Sequence, residues 1–152
     1  MNPPSPPANP ARVTVLVEVP RGGRVKRELH GAKPQFDYWS PIGSPFNYGF
    51  LEGIDGADGD PLDAILLGPA VESGARISCE VLGVVRFLDA GQPDDKWVCG
   101  NEVLTPQDIR RIERFFRRYA WLKRPMHWLR GDHGETAFLG FERDAVLPAR
   151  QD

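Results

Sequence analysis

Along residues 12–19 (RVTVLVEV) apolar and polar side chains alternate around β-branched positions, the period-two signature of a strand. Pro20-Arg21-Gly22-Gly23 then reads as a turn, and residues 25–30 as a second strand that closes a hairpin. Further strands are expected at 35–39, 47–51, 63–67, 76–88 and 96–99, with glycines and prolines punctuating nearly every gap. The period changes at Thr105. Thr105-Pro106-Gln107-Asp108 offers an N-cap hydroxyl, a proline at the first helical position and a carboxylate at the third. Ile109, Ile112, Phe116 and Tyr119 follow at helical spacing, with Phe115 beside them. Asp132 is expected to cap a second helix over about 134–143 that buries Ala137, Phe138 and Phe141. Many short strands and two late helices predict a mainly β fold with α (α+β). The expected form is a small closed OB-like barrel with both C-terminal helices packed outside.

The chain has 152 residues, a length that suits one domain able to bury roughly 68–70% of its unfolded surface. Residues 1–11 are Pro-rich and are expected to form a flexible tail, with a single domain over 12–152. A formal charge of −2 gives no global field toward nucleic acid or membrane. Cys79 and Cys99 are too few for a disulfide scaffold or a zinc site and read as reduced, partly buried thiols. The first ten residues, MNPPSPPANP, lack an apolar core and a basic start, and no apolar run approaches the ~20 residues that cross a bilayer. A cytoplasmic protein is the resulting expectation.

The chemistry concentrates in Asp55-Gly-Ala-Asp58-Gly-Asp60-Pro61-Leu62-Asp63, four carboxylates within nine residues. Like charges this close repel unless solvent or cations lie between them, and hard divalent cations such as Mg²⁺ suit oxygen ligands. An EF-hand is excluded, because position twelve counted from Asp55 or Asp58 is Leu66 or Pro69, neither an acid. A covalent aspartyl nucleophile is disfavoured, since Gly56 and Ala57 precede Asp58 in place of an apolar strand. A second acidic turn, Asp89 to Asp94-Asp95-Lys96, follows the long strand and could face the first across a barrel mouth. Alternation puts Lys26 and Glu28 on one face of their strand. The basic run Arg110, Arg111, Arg114, Arg117, Arg118, Lys123 and Arg124 reads as the wet face of an amphipathic helix in preference to a nucleic-acid surface. His30, His127 and His133 lack metal-site spacing and read as structural or surface groups. Trp97, Trp121 and Trp128 are expected to pack against the barrel or between subunits.

Asp58-Gly-Asp-Pro-Leu-Asp63 resembles the signature of the soluble family I inorganic pyrophosphatases. Val17-Glu18-Val19-Pro20, Val25-Lys26-Arg27-Glu28, Asn47-Tyr48-Gly49, Asp89 through Lys96, and Phe115-Phe116-Arg-Arg-Tyr119 recur in family order, so that the likeness spans about residues 12–130. The resemblance implies Mg²⁺-dependent hydrolysis of pyrophosphate to two phosphates, with Mn²⁺ as the alternative metal. It implies that Asp58, Asp63 and Asp94 ligate the metals that activate water and that Asp60 is the general base. Asp89, with Asp94, would hold metals that arrive with pyrophosphate, and Glu18 and Glu28 would complete the acidic rim. Lys26 and Lys96 would neutralise phosphate oxygens, and Tyr48 and Tyr119 would donate hydrogen bonds to them. By analogy it also implies a homo-oligomer, a hexamer among bacterial members, with neither a membrane nor a nucleic-acid partner.

The departures are specific. The family arginine before Asn-Tyr-Gly is absent from Gln35-Phe36-Asp37-Tyr38, a family tyrosine is replaced by Ser44, and the lysine expected after Tyr119 is Ala120. Lys33, Lys123 or Arg124 could replace the lost cations. The alternatives are hydrolysis of another phosphoanhydride and a catalytically weak metal- or phosphate-binding relative.

Overall fold

The computed structural model describes residues 3, 8–23, 44–131 and 134–148. The expected strands over 25–30 and 35–39, with Lys26 and Glu28, and the expected cap Asp132 lie outside the described residues.

The described residues form seven strands and one helix: β1 (Val13–Val19), β2 (Asn47–Asp55), β3 (Pro61–Leu66), β4 (Arg76–Asp89), β5 (Gln92–Pro93), β6 (Lys96–Gly100), α1 (Pro106–Leu129) and β7 (Ala137–Arg143). The sheet order β1-β2-β3-β6-β4 closes through an added β1–β4 pairing, so five strands form a ring. Every described pairing is antiparallel except β3 with β6, where Ala64 stands opposite Trp97. The expected mixed, OB-like barrel is what the chain forms.

Because side chains alternate across a strand, the ring has two apolar faces. Val15, Val17, Leu51, Leu66, Val84 and Trp97 fill the barrel interior. Their neighbours Ile65, Val85 and Val98 point outward and are covered by Ile112, Phe116, Tyr119 and Ala120 of α1. The helix begins as the sequence predicts. The Thr105 N–H and hydroxyl both donate to Asp108 Oδ2, at 2.9 and 2.8 Å, and the Asp108 N–H donates back to the Thr105 hydroxyl at 3.1 Å. Its arginines 110, 111, 114, 117 and 118 are exposed, as a solvated face requires.

The expected second helix is corrected to strand β7, which pairs antiparallel with β4. Phe138 stands opposite Phe87 and Phe141 opposite Val85, so one extra residue is inserted in β7 between them. This bulge puts two phenylalanines three residues apart on the same buried face and turns Leu139 outward, reproducing helical spacing in a strand. Trp97 packs in the barrel, but Trp121 and Trp128 are exposed and do not pack against it.

Two residues fix how β2 enters the site. At Gly49 a Cβ would lie 1.8 Å from the Leu16 carbonyl oxygen, so β1 and β2 approach there only with glycine. The buried Asn47 amide accepts from the N–H groups of Arg21 (2.9 Å) and Val71 (3.1 Å) and donates to the Leu66 and Pro69 carbonyls. It thereby anchors the backbone on either side of Tyr48 (satisfied buried amides of this kind specify a single arrangement).

The Thr105 backbone, with its side chain and Arg111, holds the Asp108 carboxyl below the usual carboxylate range despite an upward push from burial. A depressed folded-state pKa contributes stability above the unfolded value of about 3.9 that is lost as pH falls. Asp108→Ala is therefore expected to be less stable than the parent at neutral pH, with the gap narrowing as pH falls below about 3.9 and closing once the cap is protonated in the folded state as well. Urea unfolding across pH checks this; a gap that is constant with pH would contradict it.

Candidate active site

The parallel β3–β6 register brings Asp63 beside Lys96, one step before the Ala64–Trp97 pair. Alternation places Asp63 on the Ile65 face and Lys96 on the Val98 face, which is the α1 side of the barrel wall. Lys96 is 1% exposed, and its Nζ lies 2.8 Å from Asp63 Oδ2 and 2.6 Å from Asp94 Oδ1. Asp94 is delivered by the β4–β5 hairpin, pinned by its N–H donating to the Phe87 carbonyl at 2.8 Å. Desolvating an ammonium costs several kcal/mol, and two carboxylates offset it here. Burial pushes the Lys96 pKa down, but Asp63 and Asp94 outweigh it and the net shift is upward. Burial, aided by Asp94, raises the Asp63 pKa despite Lys96. Two acids sharing one base leave the cluster one positive charge short.

Tyr48 lies beside this pair, with Lys96 Nζ 5.9 Å from its ring centroid. Burial, then the fields of Asp63, Asp94, Tyr119 and Glu18, push its phenol well above the ordinary value. The O–H is thus retained at neutral pH and can donate. Tyr119 packs in the same buried layer as Tyr48, and Glu18 precedes Val19, the β1 partner of Tyr48.

Asp58 and Asp60 occupy the β2–β3 turn. Asp58 Oδ1 accepts from the Asp60 N–H at 3.0 Å, and the Gly56 N–H donates to the Asp60 carbonyl at 2.8 Å. Gly59, with φ of 83°, supplies the left-handed backbone this turn needs. Both carboxylates are exposed, and they line a cleft of about 580 Å³ with Asp63, Asp94, Asp95 and Trp97. Asp95 is engaged by Arg86, whose Nη1 is 2.8 Å from Asp95 Oδ2 and whose Nη2 is 3.0 Å from Glu142.

Asp89 does not line that cleft. At the end of β4 its Oδ2 is 2.8 Å from Lys123 Nζ, and its Oδ1 meets His127 Nε2. Burial raises its pKa, but the two bases of α1 outweigh burial and hold the carboxyl below its usual range. Lys123 Nζ also lies 5.0 Å from the Tyr119 ring centroid. His127, expected as a structural or surface group, thus faces a predicted site carboxylate. The four-residue spacing of Tyr119, Lys123 and His127 was the available signal. Arg86 was not anticipated at all. Ser44 is buried with its hydroxyl donating to the Phe46 carbonyl, and Ala120 is buried in the barrel–helix layer.

The oxygen donors of the cleft suit a hard divalent cation by chemistry. Among the described residues, no three His, Cys, Asp or Glu groups already converge on one metal-sized point, since Asp63 and Asp94 are turned onto Lys96.

Fold and cleft together define a class, an OB-like barrel carrying a carboxylate-rich cleft with a buried lysine at its wall. The chain belongs to the inorganic pyrophosphatase family, in its soluble family I form, and residues 15–137 match that family's model. It is 32% identical over 140 residues to the inorganic pyrophosphatase of Gluconobacter oxydans, covering 80% of each chain. It is 32% identical over 130 residues to the soluble inorganic pyrophosphatase of Oryza sativa subsp. indica, covering 74% of this chain. The alignment spans only 61% of that rice relative's length. The crystal structure of an inorganic pyrophosphatase from Neisseria gonorrhoeae superposes with a TM-score of 0.68 at 29% identity, covering 88% of this chain and 83% of that one.

Lys96→Met would leave two carboxylates without their cation. The expected cost is about 3 kcal/mol in urea unfolding, of which Lys96→Met/Asp94→Asn recovers part. Equal stability of Lys96→Met and the parent would contradict the buried pairing.

Proposed function

We propose that this protein hydrolyses inorganic pyrophosphate to two phosphates by direct attack of water, with Mg²⁺ as the metal and Mn²⁺ as the alternative. The observation that supports this most is the meeting of Asp58, Asp60, Asp63 and Asp94 in one cleft against buried Lys96, within the span that matches the family. Asp58, Asp63 and Asp94 would hold the metal ions, with Glu18 and Glu28 contributing further carboxylates; Asp89, outside the cleft and bonded to Lys123 and His127, would join them only on leaving those partners. Bound there, divalent cations lower the pKa of water toward neutrality and neutralise phosphate oxygens.

The remaining steps belong to the side chains. Asp60, exposed on the turn, takes the proton of the attacking water as its oxygen bonds to phosphorus and the bridging P–O bond breaks. Lys96 and Lys26 balance charge on the phosphates. Tyr48, kept protonated by burial and the surrounding carboxylates, donates a hydrogen bond, and Tyr119 donates another. Self-association of the chain and a cytoplasmic location belong to the same proposal. The exposed Trp121, Trp128 and Leu129 supply apolar area for the association. Among the described residues no helix is long and apolar enough to cross a membrane.

A second reading, hydrolysis of a different phosphoanhydride or weak binding without turnover, draws on Ser44 and Ala120, which present neither a phenol nor an ammonium. Phosphate release from pyrophosphate, tripolyphosphate and nucleoside triphosphates with Mg²⁺ separates the readings. Pyrophosphate is expected to be hydrolysed fastest; no release from protein that still binds Mg²⁺ would favour the binding relative. Asp60→Asn is expected to lower kcat roughly 10²–10⁴-fold with Mg²⁺ affinity largely kept. Asp63→Ala is expected to weaken Mg²⁺ binding in calorimetry. The opposite pattern would exchange the two roles.

A further inference from the structure

We propose that Lys123 is the cation that α1 supplies to the phosphate of the substrate, delivered one helical turn beyond Tyr119. The inference rests on the pyrophosphate reading and deepens it by naming a residue of the same site. Position 120 cannot serve: Ala120 is 3% exposed and packed into the apolar layer between barrel and helix. Arg124 is turned toward the segment before β7, its Nε donating to the Thr136 carbonyl at 3.0 Å.

Residues 119, 123 and 127 follow at four-residue steps and share one helix face, which is turned toward the end of β4. The Lys123 stem is largely buried, its side chain 18% exposed, so the ammonium is held in place. Three contacts fix that place. Nζ sits 5.0 Å from the centroid of the Tyr119 ring, which packs in the same buried layer as Tyr48. It bonds Asp89, whose hairpin also delivers Asp94 to Lys96. His127 engages the other oxygen of the same carboxylate. An ammonium has three N–H donors, and the Asp89 bond uses one of them, which allows a phosphate oxygen to be bound beside the carboxylate. A purely structural pair would serve the helix equally well with any partner and would leave substrate affinity unchanged.

The test uses the full chain with saturating Mg²⁺. Inorganic phosphate binding is measured by calorimetry, and KM and kcat for pyrophosphate by phosphate release, in the parent, Lys123→Met, Lys123→Gln and Lys123→Arg. Loss of one charge-assisted hydrogen bond is expected to weaken phosphate binding and raise KM by roughly 10- to 100-fold in Lys123→Met. Lys123→Arg is expected to restore most of the phosphate affinity. Lys123→Gln keeps a long polar stem without charge, so if Lys123→Met fails to fold the same loss is read there. Unchanged phosphate affinity and KM in a folded neutral variant overturns the assignment. A parent that binds phosphate but releases none from pyrophosphate defeats the hydrolase reading alone, and the calorimetric comparison still decides Lys123. A parent that binds no phosphate overturns both.

Discussion

The Lys96 ammonium, enclosed between Asp63 and Asp94, is the constraint on which the architecture of the site depends. Three segments meet at this point: β3 supplies Asp63, the β4–β5 hairpin supplies Asp94, and β6 supplies the lysine. The parallel β3–β6 pairing is what makes Asp63 and Lys96 neighbours, and that pairing joins β1-β2-β3 to β6-β4 within the ring. A charge buried this deeply is tolerated only with its partners present, so the fold and the cleft are energetically one unit. Two carboxylates to one ammonium leave a residual negative charge in the wall of an acidic cleft, a reason for cations to enter it.

The strands of the ring are buried on both faces, and the chemistry uses only one. Ile65 and Val98, outward on β3 and β6, are covered by α1; Asp63 and Lys96 continue the same rows beyond the apolar cover. Polar groups therefore emerge where the layer between barrel and helix runs out. The helix does more than cover the wall. Its Lys123 and His127 bind the end of β4 through Asp89, and Tyr119 lies beneath the Lys123 ammonium.

Much of this was legible in the sequence, because local physics decided it. The period-two runs became β1, β2, β3, β4 and β6, and Thr105 and Asp108 form the capping box that their spacing predicts. The clustering of Asp58, Asp60, Asp63 and Asp94 followed from two acidic turns attached to strands. What was not legible depended on contacts between distant segments. The β7 bulge gave Phe138 and Phe141 a helical interval, and only their pairing with Phe87 and Val85 reveals a strand. Asp89 stands close to Asp94 in sequence, yet its oxygens meet α1, 34 and 38 residues away. Arg86 carries no local signal in the sequence; its role comes from the fold, which sets it between Asp95 and Glu142.

A crystal grown with Mn²⁺ and phosphate, measured at the manganese absorption edge, examines the shared cleft most directly. Anomalous peaks bounded by Asp58, Asp63 and Asp94, with phosphate oxygens reaching Lys96, are the predicted result. Manganese bound only at other surface carboxylates, with Asp63 and Asp94 still closed on Lys96, would contradict a metal-dependent site in this cleft.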